Sequence, residues 1–401
     1  KKITVGKRWP LFIILLIAGL ILSYNLDKPF WGHHDWNGVY WGQVAKNFSR
    51  GSFIFNFHYP PLFPLIWSEF FTVFGVHNWV SRFFAATFSL GAIVFFYKIV
   101  EKFFSQKTAI ISSLFWIATP MFIYFGKMPV HEIPLMFFVL GTFYFYLTNR
   151  FRPMAAFIIL AILTTWPGYF LIPAITIHSL ITRKFNKKLL ILWIFAPLLF
   201  LLHLLHNYSV TGDLFGGGLR EIFLLRISGV SLVPYITTLA RWSWTYYFLL
   251  IPLSLVGLFK SKRKDISLIF LVYAICYPII FRDASFRHDY LLIYFWPFLA
   301  LSSALVIKKY FLAFFVIAVI VVFRWNFIMA LENSDIYKES VRFGQYINAN
   351  SSPKEKIQAI TADPSVPWDG WFIGYYADRS IVNKNPDRTF YYNPGGKMSF
   401  K

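Results

Sequence analysis

Three short stretches of this chain crowd proton-handling groups against apolar runs. "GHHDWN" sets His33, His34 and Asp35 just after the first apolar segment. "PVHEIP" places His131 beside Glu132, and "FRDASFRHDY" gathers Arg287, His288 and Asp289. His58 stands before a double proline in "NFHYPPLFPL". Imidazoles and carboxylates are the groups that move protons near neutral pH, and arginine's planar fork suits phosphate. Ionisable side chains at the edge of hydrocarbon are costly unless they are paired or solvated in a cavity. Their repeated placement there points to acid–base or anion chemistry at a membrane surface.

The composition makes the setting a bilayer. Of 401 residues, 57% are hydrophobic, 21% aromatic and only 14% charged, against about 25% charged in soluble domains. The formal net charge of +21 would suggest nucleic acid in a soluble chain. Here the basic residues fall in short loops between apolar runs, where they orient a membrane protein, so nucleic acid is excluded as a partner. The single cysteine, Cys276, lies in an apolar run and can form no intramolecular disulfide.

Apolar spans are expected near 9–26, 78–99, 108–125, 133–148, 153–165, 168–181, 188–206, 244–259, 266–281, 290–307 and 310–328. Several are shorter than the roughly 20 residues a bilayer crossing needs. The stretch 153–181 is read as two spans broken at Trp166-Pro167-Gly168, because a single span would move "TRKFNKK" away from the other basic loops. With the N-terminus cytoplasmic and the first span retained, Lys98, Lys102, Lys107, Arg150, Arg152, "KSKRK" and Lys308-Lys309 then share the cytoplasmic side. The fold class expected is an all-α membrane bundle of about eleven helices. It is divided as a transmembrane domain over 1–330 and a small extracytoplasmic α/β tail over 331–401.

This topology puts all the histidines except His178, together with Asp35, Glu132 and Asp289, on the outer side. The first outer loop, about fifty residues long, is expected to carry two short interfacial helices, one in "GVYWGQVAKNFSRG" and one after the double proline. Asp35 falls at the start of the first, where a purely structural capping role is the competing reading. Arg82, Lys127, Arg220, Arg226 and Arg241 are further cations on the outer side, where the positive-inside rule does not call for them.

Taken in order, "GQVAKNF", "HYPPLFPL", "FGVHNWVSRFFAATFSLGAI", "FGKMPVHEIPLMFF", "LTTWPGYFLIPA", "RHDYLLIYFWPFLALSSA" and "YYADR" resemble the GT-C class of integral-membrane glycosyltransferases. The branch is that of protein O-mannosyltransferases and lipid A aminoarabinose transferases. Many relatives carry an Asp-Glu pair before the helix matching "GQVAKNF". Those positions fall here on Asn37 and Gly38, and the aspartate is Asp35. The resemblance implies a donor sugar carried on polyprenyl phosphate in the outer leaflet, passed to a hydroxyl of protein, lipid or glycan, generally with inversion.

For that chemistry the leaving phosphate needs fixed positive charge, and the acceptor hydroxyl needs one general base on the opposite face, worth about 10²–10⁴ in rate. Asp35 is expected as the base, with Glu132 a second acid that orients the acceptor or binds a cation. Arg287 and His288 are expected at the donor phosphate, with Lys127 and Arg82 as further candidates. His33, His34, Asn37, Tyr40, His58 and Asp289 would line the pocket. The lipid-linked donor is the co-substrate, and His33, His34, His58, His131 and Glu132, above all His58, His131 and Glu132, could hold zinc or manganese. Two other readings stay open. A flippase or transporter of a lipid-linked sugar would call for mid-bilayer polar groups and internal repeats. A lipid-linked glycan polymerase or ligase would use Arg220, Glu221 and Arg226 of the 207–243 loop.

Overall fold

The computed structural model describes residues 9–53, 58–183, 185–216, 218–227, 229–361, 370–393 and 395–401. The basic segment 1–8, Asn56 and Phe57 of the double-proline stretch, and Lys184 lie outside the described residues. The chain forms two compact units. One comprises 1–24, 54–63 and 83–328, and the other 25–53, 64–82 and 329–401.

The first unit is helical, and every expected span meets a helix. Asn78–Phe103, Leu189–Thr211, Asp289–Val306 and Tyr310–Glu332 are long and apolar enough to cross a membrane, and the bent pair Leu219–Ile227 and Leu232–Tyr247 would add one broken span. Trp9–Ser23, Glu132–Leu147, Phe151–Thr164, Trp166–Ile181 and Leu250–Lys260 are apolar but shorter. At ~1.5 Å per residue such helices fall short of the ~30 Å hydrocarbon core. The chain is an integral membrane protein.

Breaks fall where backbone chemistry demands them. Thr119 takes a hydrogen bond from the Phe122 N–H at 3.2 Å, and Pro120 opens the next helix, so 108–125 is two helices, Gln106–Ile117 and Pro120–Phe125. The expected break at Trp166-Pro167-Gly168 is present. Phe151–Thr164 stops at an extended Thr165, a 3₁₀ turn covers Trp166–Phe170, and Leu171–Ile181 follows. A Cβ on Gly168 would lie 2.4 Å from the Ala161 carbonyl carbon, so only glycine lets the turn close on the preceding helix. The span expected at 244–259 starts later. Phe248, at φ +42°, separates Leu232–Tyr247 from Leu250–Lys260. The latter packs backbone to backbone on Trp296–Val306, and Ser303 donates to the Leu250 carbonyl at 2.9 Å. Small residues permit this close approach, as is common between membrane helices.

The second unit joins the first-loop segments to the C-terminal residues, so its composition differs from a tail of 331–401 alone. The two loop helices are Trp36–Ser49 and Leu62–Phe74, the latter lying in this unit from Pro64 onward. Lys338–Ala349 and Gly370–Ala377 pack on a sheet of β1 (Lys356–Thr361), β2 (Ser380–Ile381), β3 (Arg388–Asn393) and β4 (Lys397–Phe400). The strand order is β2-β1-β3-β4, antiparallel only between β3 and β4, with Ala359 opposite Phe390 and Phe390 opposite Phe400. Phe343, Ile347, Ile357, Ile373 and Phe390 form the sheet's core. A second cluster, Phe30, Val39, Val341, Phe372 and Tyr375, binds the loop to the C-terminal helices.

Candidate active site

Asp35 is 1% exposed and sits at the start of Trp36–Ser49. It makes no capping bond to that helix. Its carboxylate turns back instead. Oδ2 accepts from the backbone N–H groups of Trp31 at 3.0 Å and Gly32 at 2.7 Å, and Oδ1 accepts from Arg82 Nη2 at 3.4 Å. Arg82 also donates to the Lys28 carbonyl at 3.3 Å and lies 4.7 Å over the Phe30 ring. Three bonds leave Oδ1 one lone pair toward a further donor.

Around this pair, the rings of His33 and His34 stand 4.1 Å apart, with His34 at φ +59°. Asn37 donates to the His34 carbonyl at 3.2 Å. Tyr40 stacks on Trp36 at 4.7 Å and meets Trp371 edge-on at 4.6 Å.

In the helical unit the groups converge on Arg226. Its guanidinium carbon lies 4.8 Å over the Tyr59 ring. Tyr59 stacks on His131 at 4.5 Å, and Phe63 packs on the same imidazole at 4.1 Å. Glu132, 5% exposed, begins Glu132–Leu147 and has Arg226 and the Tyr294 hydroxyl as electrostatic neighbours. Tyr277 and Tyr290 also face Arg226. Burial, reinforced by Arg226 and His203, lowers the His58 imidazole to about 3, so it is neutral at physiological pH. The His58 carbonyl accepts the Trp166 indole N–H at 2.7 Å.

This cluster borders a cavity of about 750 Å³. Trp166, Phe170, Trp193, Phe200, Phe223 and Phe281 are among its apolar walls, and His58, Tyr169, Arg220 and Arg226 are among its polar residues. An apolar chamber edged by guanidinium groups suits an amphiphile with an anionic head.

The cations expected at the phosphate do not line this cavity. Arg287, its side chain 57% exposed, is held by Asp283 at 2.6 Å across one helical turn. The His288 ring lies 5.3 Å from that of Tyr290. Lys127 is buried, donates to the Tyr24 carbonyl at 2.6 Å and covers the Tyr24 ring. It ties down the end of the first helix. None of these three lines the cavity. In the second unit, Arg82 is committed to Asp35. Asp289 accepts the Tyr246 hydroxyl at 2.5 Å and does not line the cavity.

His58, His131 and Glu132 do not bring three ligand atoms within 4.8 Å of one another. His131 is packed between aromatic rings, and the positive charge beside Glu132 is Arg226. In the sequence Arg220 and Arg226 stand out only as outer cations and, with Glu221, as the charged groups a polymerase or ligase would use. The available signal was their position in "LREIFLLRI", an apolar helix on the side where orientation needs no arginine.

The fold, with two short helices after the first apolar helix and a small α/β unit, is similar to the GT-C fold of solved membrane glycosyltransferases. The family described as dolichyl-phosphate-mannose-protein mannosyltransferase matches residues 58–207. ArnT from Cupriavidus metallidurans, in its complex with undecaprenyl phosphate, is similar at 13% identity and a TM-score of 0.69, covering 94% of this chain and 86% of its own. The archaeal oligosaccharyltransferase AglB from Archaeoglobus fulgidus, in complex with an inhibitory peptide and a dolichol-phosphate, is similar at 14% identity and a TM-score of 0.63. That match covers 94% of this chain and 64% of the longer AglB chain. A search of curated proteins finds no match to the sequence.

Proposed function

We propose that the chain is a glycosyltransferase that takes a sugar from polyprenyl phosphate and passes it, with inversion, to a hydroxyl of protein, lipid or glycan. The observation that carries this reading is the apolar cavity edged by Arg220, Arg226 and His58. A prenyl tail fits its walls, and a phosphate fits its guanidinium edge. That one structural relative is a complex with undecaprenyl phosphate supports the same donor class.

In this reading Arg226 is the main donor-phosphate ligand, aided by Arg220. The Tyr59 ring and Glu132 hold the Arg226 guanidinium in place before the donor arrives. The sugar's C1–O bond breaks as charge collects on the leaving phosphate, which the arginines stabilise without needing to protonate it. The neutral His58 adds polarity without a second charge. Asp35, its carboxylate fixed by Trp31, Gly32 and Arg82, is the candidate base for the acceptor hydroxyl's proton. The buried pairing of Arg82 with Asp35 keeps the base oriented.

The chain works in the cytoplasmic membrane, with its basic loops in the cytoplasm and the reacting groups on the outer face, where the lipid-linked donor resides. Purified protein incubated with a panel of polyprenyl-phosphate sugars and hydroxyl acceptors should release free polyprenyl phosphate. No release from any donor in the panel, or full release by Arg226→Ala, sinks the assignment.

A further inference from the structure

The second unit contains a cleft of about 610 Å³ that the proposed donor chemistry does not use. Its floor holds a buried lysine. Lys46, 2% exposed, pairs with Asp378 at 3.0 Å, donates to the Tyr375 carbonyl at 2.9 Å and lies 4.5 Å over the Tyr375 ring. Arg50 grips the same Asp378 through two bonds of 2.8 and 2.7 Å. Asp378 sits at φ +52°, in the left-handed region, and that conformation places its carboxylate between the two cations. The rim carries Asp27, Asn78, Gln345 and Asn348.

The charges balance. Lys46 and Arg50 offset Asp378 and Asp27, so a full charge brought into the cleft would lose hydration without a surplus of opposite charge to replace it. What remains on offer is directional: the exposed Gln345 amide, the capacity of Asn78 beyond the Tyr376 hydroxyl it accepts at 2.9 Å, that of Asn348 beyond its 2.8 Å bond to the Ala377 carbonyl, and carboxylate lone pairs. Amides and carboxylates match the alternating donors and acceptors of adjacent hydroxyls. The volume lies within the usual range of small-molecule sites.

We infer that this cleft binds a neutral oligosaccharide. The site is separate from the donor cavity and supplies recognition, not bond making. Gln345 is exposed on Lys338–Ala349 and can be changed without disturbing the Lys46–Asp378–Arg50 arrangement.

The test uses the full-length protein in lipid nanodiscs. Mannotriose, maltotriose and chitotriose are the neutral probes, trigalacturonate is the anionic control, and binding is read by saturation-transfer difference NMR. At least one neutral trisaccharide should bind more tightly than trigalacturonate. Gln345→Ala should weaken that binding by roughly five-fold, the loss expected for a neutral hydrogen bond, and Gln345→Trp should weaken it further by filling the cleft. Absence of binding by all three neutral probes, tighter binding of trigalacturonate, or unchanged binding in Gln345→Trp would overturn the proposal. Arg226→Ala separates it from the donor reading: that variant should lose polyprenyl-phosphate release while keeping trisaccharide binding.

Discussion

Arg226 lies with its guanidinium carbon 4.8 Å above the Tyr59 ring. Tyr59 in turn stacks on His131, the residue that precedes Glu132. A planar cation on an aromatic face is fixed in orientation at little entropic cost. Such a fixed fork suits the donor phosphate proposed to bind beside it.

Replacing Arg226 by alanine should therefore weaken donor use. Loss of a charge-assisted bond of about 1.5–3 kcal/mol corresponds to roughly ten- to hundred-fold in kcat/KM for the lipid-linked donor. Arg226→Lys should restore little of it, because an ammonium keeps the charge but not the planar stack. Steady-state assays of polyprenyl-phosphate release check both.

Asp35→Asn should lower turnover by about 10²–10⁴ with little loss of folded protein, since an amide oxygen can still accept the N–H groups of Trp31 and Gly32. Wild-type turnover by folded Asp35→Asn protein would remove Asp35 as the base. Donor binding by this variant, measured separately, should be unchanged.

The His58 imidazole is lowered to about 3 by burial and by Arg226. It is neutral throughout pH 5–8, so the pH–rate profile in that window should be the same in wild type and in His58→Gln, even if the absolute rate falls. A limb near pH 6.5 that disappears in His58→Gln would contradict this.

The hydrogen bonds of Arg50, and then the Lys46 charge, hold the Asp378 carboxyl well below the usual range. Because the folded value is the lower one, its stabilisation is complete above the unfolded value of about 3.9 and is lost as pH falls toward the folded value. Asp378→Asn should destabilise the protein by roughly 3 kcal/mol at neutral pH, since it leaves the buried Lys46 with one partner fewer. It should also flatten the acid side of the stability curve. Thermal unfolding of wild type and variant from pH 3 to 7 reads both effects.

Gly168→Ala should destabilise by about 1–3 kcal/mol, the usual range for overpacking. The new Cβ would press on the Ala161 backbone, 2.4 Å away, and force Phe151–Thr164 and Leu171–Ile181 apart. A lower Tm with the donor KM unchanged is the expected signature.

Hydropathy, proline positions and loop charge were enough to place the helices. Each of these signals is local, and the bilayer imposes the rest. The break at Trp166-Pro167-Gly168 and the loop helix Trp36–Ser49 were legible for that reason, whereas the break at Pro120 lies inside the run 108–125 that hydropathy reads as one span. The strands Arg388–Asn393 and Lys397–Phe400 were not legible, because a short strand's existence depends on the partner it pairs with. The same holds for the side-chain partnerships. Lys127, Arg287 and Arg226 are all outer-side cations in the sequence, and the resemblance favours Arg287 over the other two. Only the packing shows Lys127 tied to Tyr24, Arg287 to Asp283, and Arg226 laid over Tyr59 beside an apolar chamber. Residue type and hydropathy are properties of the chain, whereas a cavity and its lining are made by segments far apart in sequence, and their meeting is written in no single stretch of it.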